Sequence, residues 1–385
     1  MAELYSLPDG WEWKTIEELC EILDRLRKPI SQKDRISGEY PYYGATGIVD
    51  YINNYIFDEK LLLIGEDGAK WGANENTAFI AEGKYWVNNH AHIMRPNKEL
   101  VIDSLLIYYL NTTDLMEYIT GATVKKLNQE KLKSINIPLP PLEEQKRIVA
   151  KLDILFEKID KAIALHQKNI DEADIFMASV LNDVFLELEE KYEKKELSNL
   201  VSKLGDGLHG TPKYDDNGEY YFINGANVKD NKIIVNQNTK KVNEDEYNKY
   251  KKELNDRTIF VSINGTIGNV GLYNNEKCIL GKSACYFNLL ENIDKIYITY
   301  VLKNGDFQEY IEKNSTGATI KNVSLKTMRA YKIPLPPLKT QQKVVSYLDE
   351  ISNKMEKIKQ IQKKKMQSLK ELKASILDKA FKGEL

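Results

Sequence analysis

The sequence predicts an α+β chain: two mixed α/β domains joined by two long helices, expected to pack antiparallel as a coiled coil within a pseudo-two-fold internal repeat. Three observations lead there. TGATVKKL at 120–127 recurs as TGATIKNV at 316–323, and IPLPPLEEQKRIVAKLD at 137–153 recurs as IPLPPLKTQQKVVSYLD at 333–349, both at an offset of 196. The same offset carries Ala178, Ser179, Leu181 and Phe185 onto Ala374, Ser375, Leu377 and Phe381 without a gap. Such a shared register marks a duplicated unit. After each proline segment, apolar residues follow alternating steps of four and three over about six heptads, the pattern of a long helix with a seam.

Taken in order, residues 1–142 and 191–338 form the two domains, and 143–190 and 339–385 the two helices. In the first domain the runs KLLLIG and YWVNNHAHIM read as strands between Gly/Asn/Asp turns, and LLIYYLNTTDLMEYI as a short amphipathic helix. TIFVSI, SACYFNLL and IYITYVLKNGDFQEYI play the same parts in the second. Two weaker echoes extend the repeat: LLLIGEDGAKWG against IFVSINGTIGNVG, and GEYPYYGATG against GEYYFINGAN. Between these anchors the residues differ, so a common scaffold carries two diverged inserts. Tyr42 and Tyr43 are expected in the core.

Pro138, Pro140 and Pro141 remove backbone donors and fix φ, so the segment must be extended. Glu143 and Glu144 then suit a first helical turn, and Gln145 and Gln341 read as helix-start residues. The first seam runs through Ile148, Leu152, Leu155, Ile159, Ala162, His166, Ala173, Phe176 and Val180. The second runs through Val344, Leu348, Ile351, Met355, Ile358, Leu369, Leu372 and Ile376. Residues 143–190 carry a balance of −6 and residues 339–385 one of +6, which favours pairing with each other over self-pairing.

Composition narrows the function. Hydrophobic content of 42% and charged content of 29% describe a globular chain. No run of 18 apolar residues is present, and MAELYSLPDGWEWK lacks a basic stretch followed by an apolar one, so neither a membrane span nor a secretory signal is expected. Cys20, Cys278 and Cys285 fit no CxxC pattern, and reduced thiols in the cytoplasm are the expectation. GKS at 281–283 is no P-loop, because Glu276 stands where the first glycine belongs. His90 and His92 form an HxH pair without a second ligand set, which reads as hydrogen bonding and not as metal ligation. No GxSxG, HExxH or helix-opening GxGxxG occurs, nor the Asn/Asp-Pro-Pro-Tyr/Phe tetrapeptide of adenine methyltransferases. The chain reads as non-catalytic.

The paired TGAT and IPLPPL motifs, with LPDGWEWKTIEEL, YPYYGATG, DGLHGTPKY and ASILDKAFKGEL, resemble the specificity (S) subunit of type I restriction–modification systems over essentially the whole chain. The resemblance implies that 1–142 and 191–338 are target-recognition domains, each reading one half of a split, asymmetric double-stranded DNA site. Residues 143–190 and 339–385 would be spacer helices. It implies docking of modification (methyltransferase) subunits, two of them, and of ATP-dependent restriction subunits. S-adenosylmethionine, ATP and magnesium would sit on those partners and not on this chain. Partners that neutralise phosphate would also account for a net charge of only −2. Two other readings compete: a fused methyltransferase–recogniser, for which the chain has no catalytic tetrapeptide, and a helical adaptor that binds only proteins.

Position within these motifs and side-chain chemistry select the DNA-contact candidates. In the first domain they are Lys70, Trp71, Asn88, Asn89, His90, Thr120, Thr123, Lys125 and Lys126. In the second they are His209, Thr211, Lys213, Asn264, Thr266, Lys282, Ser283, Thr316, Thr319 and Lys321. Because TGAT is common to both halves, its residues suit phosphate better than bases, and Thr120 and Thr316 equally suit capping of a turn.

Overall fold

A computed structural model describes residues 5–385; the first four residues of the N-terminal stretch and of the 1–142 range lie outside the described residues. The chain divides into two compact units, Met1–Gln167 with Lys363–Leu385, and Lys168–Gln362.

In the first unit the central antiparallel sheet has the order Cys20–Ile22, Ala91–Pro96, Leu61–Gly65, Ala78–Ala81. Leu61 to Ile64 are all buried, because one face of the strand packs on the main core and the other on a second cluster with Phe57, Tyr85 and Ile93. A strand covered on both sides reads as an unbroken apolar run, and KLLLIG is one. A second sheet, ordered Gly47–Ile52, Ser37–Gly44, Lys84–Val87, Phe57–Asp58, holds Tyr42 and Tyr43 parallel to Trp86 and Val87. Tyr42 is fully buried and Tyr43 half-buried.

The second unit repeats this plan. Its central sheet runs Val201–Asp206, Ala284–Leu289, Thr258–Ser262, Val270–Leu272, all antiparallel. Its smaller sheet, Lys241–Val242, Tyr220–Ile223, Cys278–Leu280, again contains one parallel pair, Tyr221–Ile223 with Cys278–Leu280. The two weak sequence echoes therefore mark equivalent strands.

Some elements break where the sequence reads continuous. YWVNNHAHIM is two strands, because buried Asn88 accepts the His90 amide and turns the chain between them. LLIYYLNTTDLMEYI ends its helix at Thr112 and resumes as a single 3₁₀ turn, Met116–Tyr118. IYITYVLKNGDFQEYI is two helices, Lys295–Lys303 and Gly305–Lys313, separated by Asn304, whose side chain caps the second. The proline segments are extended, yet they are edge strands and not free rods. Asn136–Leu139 pairs with Glu12–Thr15, and Lys332–Pro334 with Lys194–Glu196. An edge position needs no donor on its outer side, which is where proline fits a sheet.

The long helices are Leu142–Lys191 and Leu338–Phe381. In the first unit Ile148, Leu152 and Ile159 share a core with Leu377, Ala380 and Phe381, and Lys373 bridges Asp160 at 2.9 Å. In the second, Leu181, Phe185 and Leu188 share a core with Leu348, and Lys359 bridges Asp174 at 2.8 Å. The start of each helix meets the end of the other, so they run antiparallel, and acidic and basic helices meet as their charges require. Ile148, Leu152, Ile159 and Leu348 are buried; Leu155, Val344, Ile351 and Met355 are half-buried. The heptad reading fails further along, since Phe176, Ile358 and Leu372 are exposed. One buried row of the first helix steps by eleven, through Ile148, Ile159, Ile170 and Leu181, while Ala173 stays buried on the heptad seam. A strict seven-residue repeat drifts about 20° per heptad on a straight helix, whereas eleven residues bring the stripe almost back into line.

Candidate nucleic-acid interface

The duplicated TGAT segment is a tight hairpin in both units. In the first, Ile119 and Thr120 pair with Leu127 and Lys126, and the Thr120 hydroxyl donates to the Lys126 carbonyl at 3.1 Å. In the second, Thr316 exchanges two backbone bonds of 2.8 Å with Asn322 and adds a hydroxyl bond of 3.3 Å. Gly121 and Gly317 hold φ of 92° and 93°. A Cβ there would meet the carbonyl oxygens of Val124 and Ile320 at 2.0 and 2.2 Å, so only glycine closes this turn. Thr120 and Thr316 thus cap the hairpin, while Thr123, Lys125, Thr319 and Lys321 stand exposed at its tip.

Each hairpin leans on the end of its central sheet. Asp67 bridges to Lys126 and Asn264 to Asn322. Leu127 donates to Glu66 O, and Val323 to Ile263 O, both at 2.8 Å. In the first unit Lys70, Thr123 and Lys125 line one cavity of about 460 Å³ with Trp71, Met116 and Val124. Exposed His90 lies beside it, its Nδ1 2.5 Å from Asp67 Oδ1, next to exposed Asn89. In the second unit His209, Asn264 and Lys282 line a cavity of about 550 Å³ with Asp206, Asn322 and Ser324. His209 Nε2 is 2.6 Å from Asp206 Oδ2.

Several candidates are tied down or buried. Trp71 is buried and its indole N–H donates to Gly65 O at 3.0 Å, so it braces the turn from within. Asn88 is buried in the turn described above, where it cannot reach a ligand. Ser283 is half-buried and donates its hydroxyl to Asn224 while accepting the Gly225 amide at 2.9 Å. Thr211 and Lys213 are exposed on the preceding loop, tied down by the Lys213 amide on Glu246, and line neither cavity. Thr266 is exposed in the turn after Asn264. Lys126 forms an ion pair with Glu66 at 2.6 Å, and Lys321 one with Glu312.

Beneath the first hairpin lies a buried charge network only partly visible in the HxH pair. His92 is fully buried; Nδ1 is 2.5 Å from Asp24 Oδ2 and Nε2 is 2.7 Å from Leu127 O. Both ring nitrogens thus lie within hydrogen-bond distance of an oxygen atom. Asp24 also accepts from the Ile93 amide and Gln129, and Glu66 accepts from Arg27 and Lys126. Burial pushes the Asp24 carboxyl up, but His92, the Ile93 amide and Gln129 outweigh it and hold it below the usual range. Asp24, Glu66 and His92 stand close enough to ligate a metal ion. Their lone pairs are already taken by Arg27, Lys126 and Gln129, so the cluster is complete as an ion-pair network. Strand register puts Ile263, Cys285 and Asn322 where the first unit has Glu66, His92 and Lys126. The second hairpin therefore rests on apolar packing of Ile263, Cys285 and Val323, with one side-chain amide hydrogen bond of 3.2 Å from Asn264 to Asn322.

Gln145 and Gln341 do more than start helices. Gln145 is fully buried: Oε1 accepts the Ile102 amide at 3.0 Å, and Nε2 donates to Leu100 O at 2.8 Å and Pro140 O at 2.9 Å. Gln341 repeats this with the Asp294 amide at 2.8 Å and Pro336 O at 2.9 Å. The three cysteines are buried; loss of hydration pushes the Cys20 and Cys278 thiols up to about 12, far from any reactive thiolate.

A family model described as the type I restriction modification DNA specificity domain matches residues 8–173 and again 189–365. The chain belongs to this family. It is the non-catalytic, DNA-recognising specificity subunit of a type I restriction–modification system, with its recognition module present twice. It is similar to a Haemophilus influenzae protein that carries the name of a type I restriction enzyme specificity subunit, at 28% identity over 88% of this chain and 87% of that one. The EcoKI specificity subunit of Escherichia coli is 26% identical over 76% of this chain and 68% of that one. Among solved structures, a chain from a study of complex assembly in a type I system gives a TM-score of 0.72 at 21% identity, covering 99% of this chain and all of that one. The HsdS subunit of Thermoanaerobacter tengcongensis gives 0.52 at 20% identity, covering 100% and 99%. At these identities the structures establish the shared fold. No helix among the described residues is long and apolar enough to cross a membrane.

Proposed function

We propose that each unit of this specificity subunit reads one half of a split, asymmetric double-stranded DNA target, residues 1–142 taking one half and 191–338 the other. The observation that carries this is that one hairpin recurs on one fold while the loops beside it differ: Lys70, Asn89 and His90 in the first unit, His209, Asn264, Thr266 and Lys282 in the second. Shared parts suit the shared chemistry of phosphate, and unlike parts suit unlike bases. Thr123, Lys125, Thr319 and Lys321 therefore face the backbone, Lys126 being held by Glu66, and the divergent loops face base edges. The long helices act as the spacer between half-sites and as the docking surface for two modification subunits, with restriction subunits joining them. S-adenosylmethionine, ATP and magnesium belong to those partners.

Coexpression with a type I modification subunit from the same host, followed by genome-wide mapping of methylated adenine, tests this. A two-part motif is expected, with His90→Ala relaxing one part and His209→Ala the other. A single uninterrupted motif, or both variants relaxing the same part, would defeat the assignment.

A further inference from the structure

Val124 and Ile320 occupy the same point on the two hairpins, and both are strongly exposed, at 67% and 61%. Each sits between a threonine and a lysine, in Thr123-Val124-Lys125 and Thr319-Ile320-Lys321. An isolated exposed aliphatic residue is ordinary on a protein surface and calls for no explanation. Here the same class of side chain recurs at the same tip, although the positions underneath have changed from Glu66 and His92 to Ile263 and Cys285. The supporting turn is tight, for the carbonyls of Val124 and Ile320 pack directly against Gly121 and Gly317. A β-branched side chain adds little rotamer freedom of its own. Each hairpin therefore presents a short apolar prong with a lysine beside it, Lys321 in an exposed ion pair with Glu312.

We propose that Val124 and Ile320 are wedge residues that enter the base stack at one step in each half-site, with Lys125 and Lys321 on the flanking phosphates. This rests on the reading that each unit binds one half of a DNA target. The occupant follows from charge and shape together. A protein partner would cover an apolar patch of larger area, whereas a lone branched aliphatic beside a lysine matches a gap between bases lined by phosphate. A side chain without donor or acceptor reads no base pattern, so one prong serves two halves of different sequence. Partial unstacking also lowers the work of extruding a neighbouring base for modification.

The test uses the chain complexed with its modification subunit, and a duplex spanning the mapped target with 2-aminopurine placed at successive steps. Wild-type complex should raise 2-aminopurine emission at one step in each half. Val124→Ser should abolish the rise in one half only and weaken binding about tenfold, as loss of one buried aliphatic side chain predicts. Ile320→Ser should do the same in the other half, and Val124→Ile, which copies the second tip onto the first, should keep both signals. Folding of each variant is checked by its melting temperature, with Val124→Ala or Ile320→Ala replacing a serine variant that unfolds. If the wild type binds the split target yet the serine variants keep emission and affinity, the wedge is overturned. Weaker binding with no enhanced step for the wild type overturns it too, because the tip then covers something other than stacked bases. A wild-type complex that recognises no two-part target instead sinks the reading of the two units, a result separable from the first two.

Discussion

Gln145→Ala probes the joint where the first recognition fold meets its long helix. The wild-type side chain, with no exposed surface, satisfies three backbone groups: the Ile102 amide and the carbonyls of Leu100 and Pro140. Alanine leaves one donor and two acceptors without partners. A buried group so orphaned costs about 1–3 kcal/mol, and water admitted to the vacated space favours the lower end, so the loss is about 3 kcal/mol. For a unit of this size each kcal/mol shifts the melting temperature by about 2–4 °C, giving a drop of about 6–12 °C. Gln341 satisfies two such groups by its amide, the Asp294 amide and Pro336 O, so Gln341→Ala should lose about two-thirds as much. Gln145→Glu should be worse than alanine, because it aims a carboxylate at two carbonyl oxygens. Thermal melts of the three variants decide the matter. A Gln145→Ala protein that melts with the wild type, or a glutamate variant that is harmless, would refute the staple.

His92→Leu removes the ring that bonds buried Asp24 and should destabilise the first unit by about 1–3 kcal/mol in urea titrations, the cost of an orphaned buried polar group. The Asp24 carboxyl titrates lower in the folded than in the unfolded state, so its contribution is complete above the unfolded value near ~3.9 and is lost as pH falls through the folded one. Asp24→Asn should accordingly flatten the acid limb of a stability profile, and an unchanged acid limb would show that the network is not what acid attacks. Lys125→Ala and Lys321→Ala should weaken duplex binding evenly across sequences and lower the salt dependence by about one ion each; an altered base preference would reassign them from phosphate to bases. Four residues inserted in register into both long helices add about 6 Å, and methylation mapping should then show a changed gap between unchanged half-motifs. An unchanged gap would remove the spacer role from the helices.

What was legible in the sequence follows from how information is stored along a chain. A gapless repeat exposes itself by comparison, so duplicated hairpins, proline edge strands and antiparallel helices could all be anticipated from TGAT and IPLPPL. The helical stripe was legible in part: a heptad template tracks Ile148 to Ile159 and meets buried Ala173, but it also places exposed Phe176 on the seam. Breaks such as Asn88 and Asn304 depend on one side chain bonding to its own backbone, and an asparagine in an apolar run does not announce that alone. Burial separated the site candidates. Trp71 and Lys70 are neighbours in sequence, yet one braces the turn from inside and the other is exposed. The charge network was the least legible part, because Asp24, Glu66 and His92 come from three separate strands or their ends. Its one sequence trace is an acidic residue closing the apolar run LLLIGE, opposite a histidine in AHIM.

The divergence beneath the two hairpins bears on how a duplicated reader acquires two specificities. What is retained lies where geometry allows little else: Gly121 and Gly317 close the turn, and Gln145 and Gln341 pin the joint. What differs lies one layer inward, where an ion-pair network and an apolar cluster support the same backbone bridge to the sheet. The two supports are interchangeable for holding the hairpin but not for what surrounds it. Asp206, which strand register sets opposite Cys285 as Asp24 stands against His92, bonds His209 instead and joins the lining of the second cavity. A change in the core thus accompanies a polar group at the surface proposed to face DNA. The difference between the two cavities follows from this inner layer as much as from the loops themselves, so transplanting the surface residues alone should carry specificity from one unit to the other only in part.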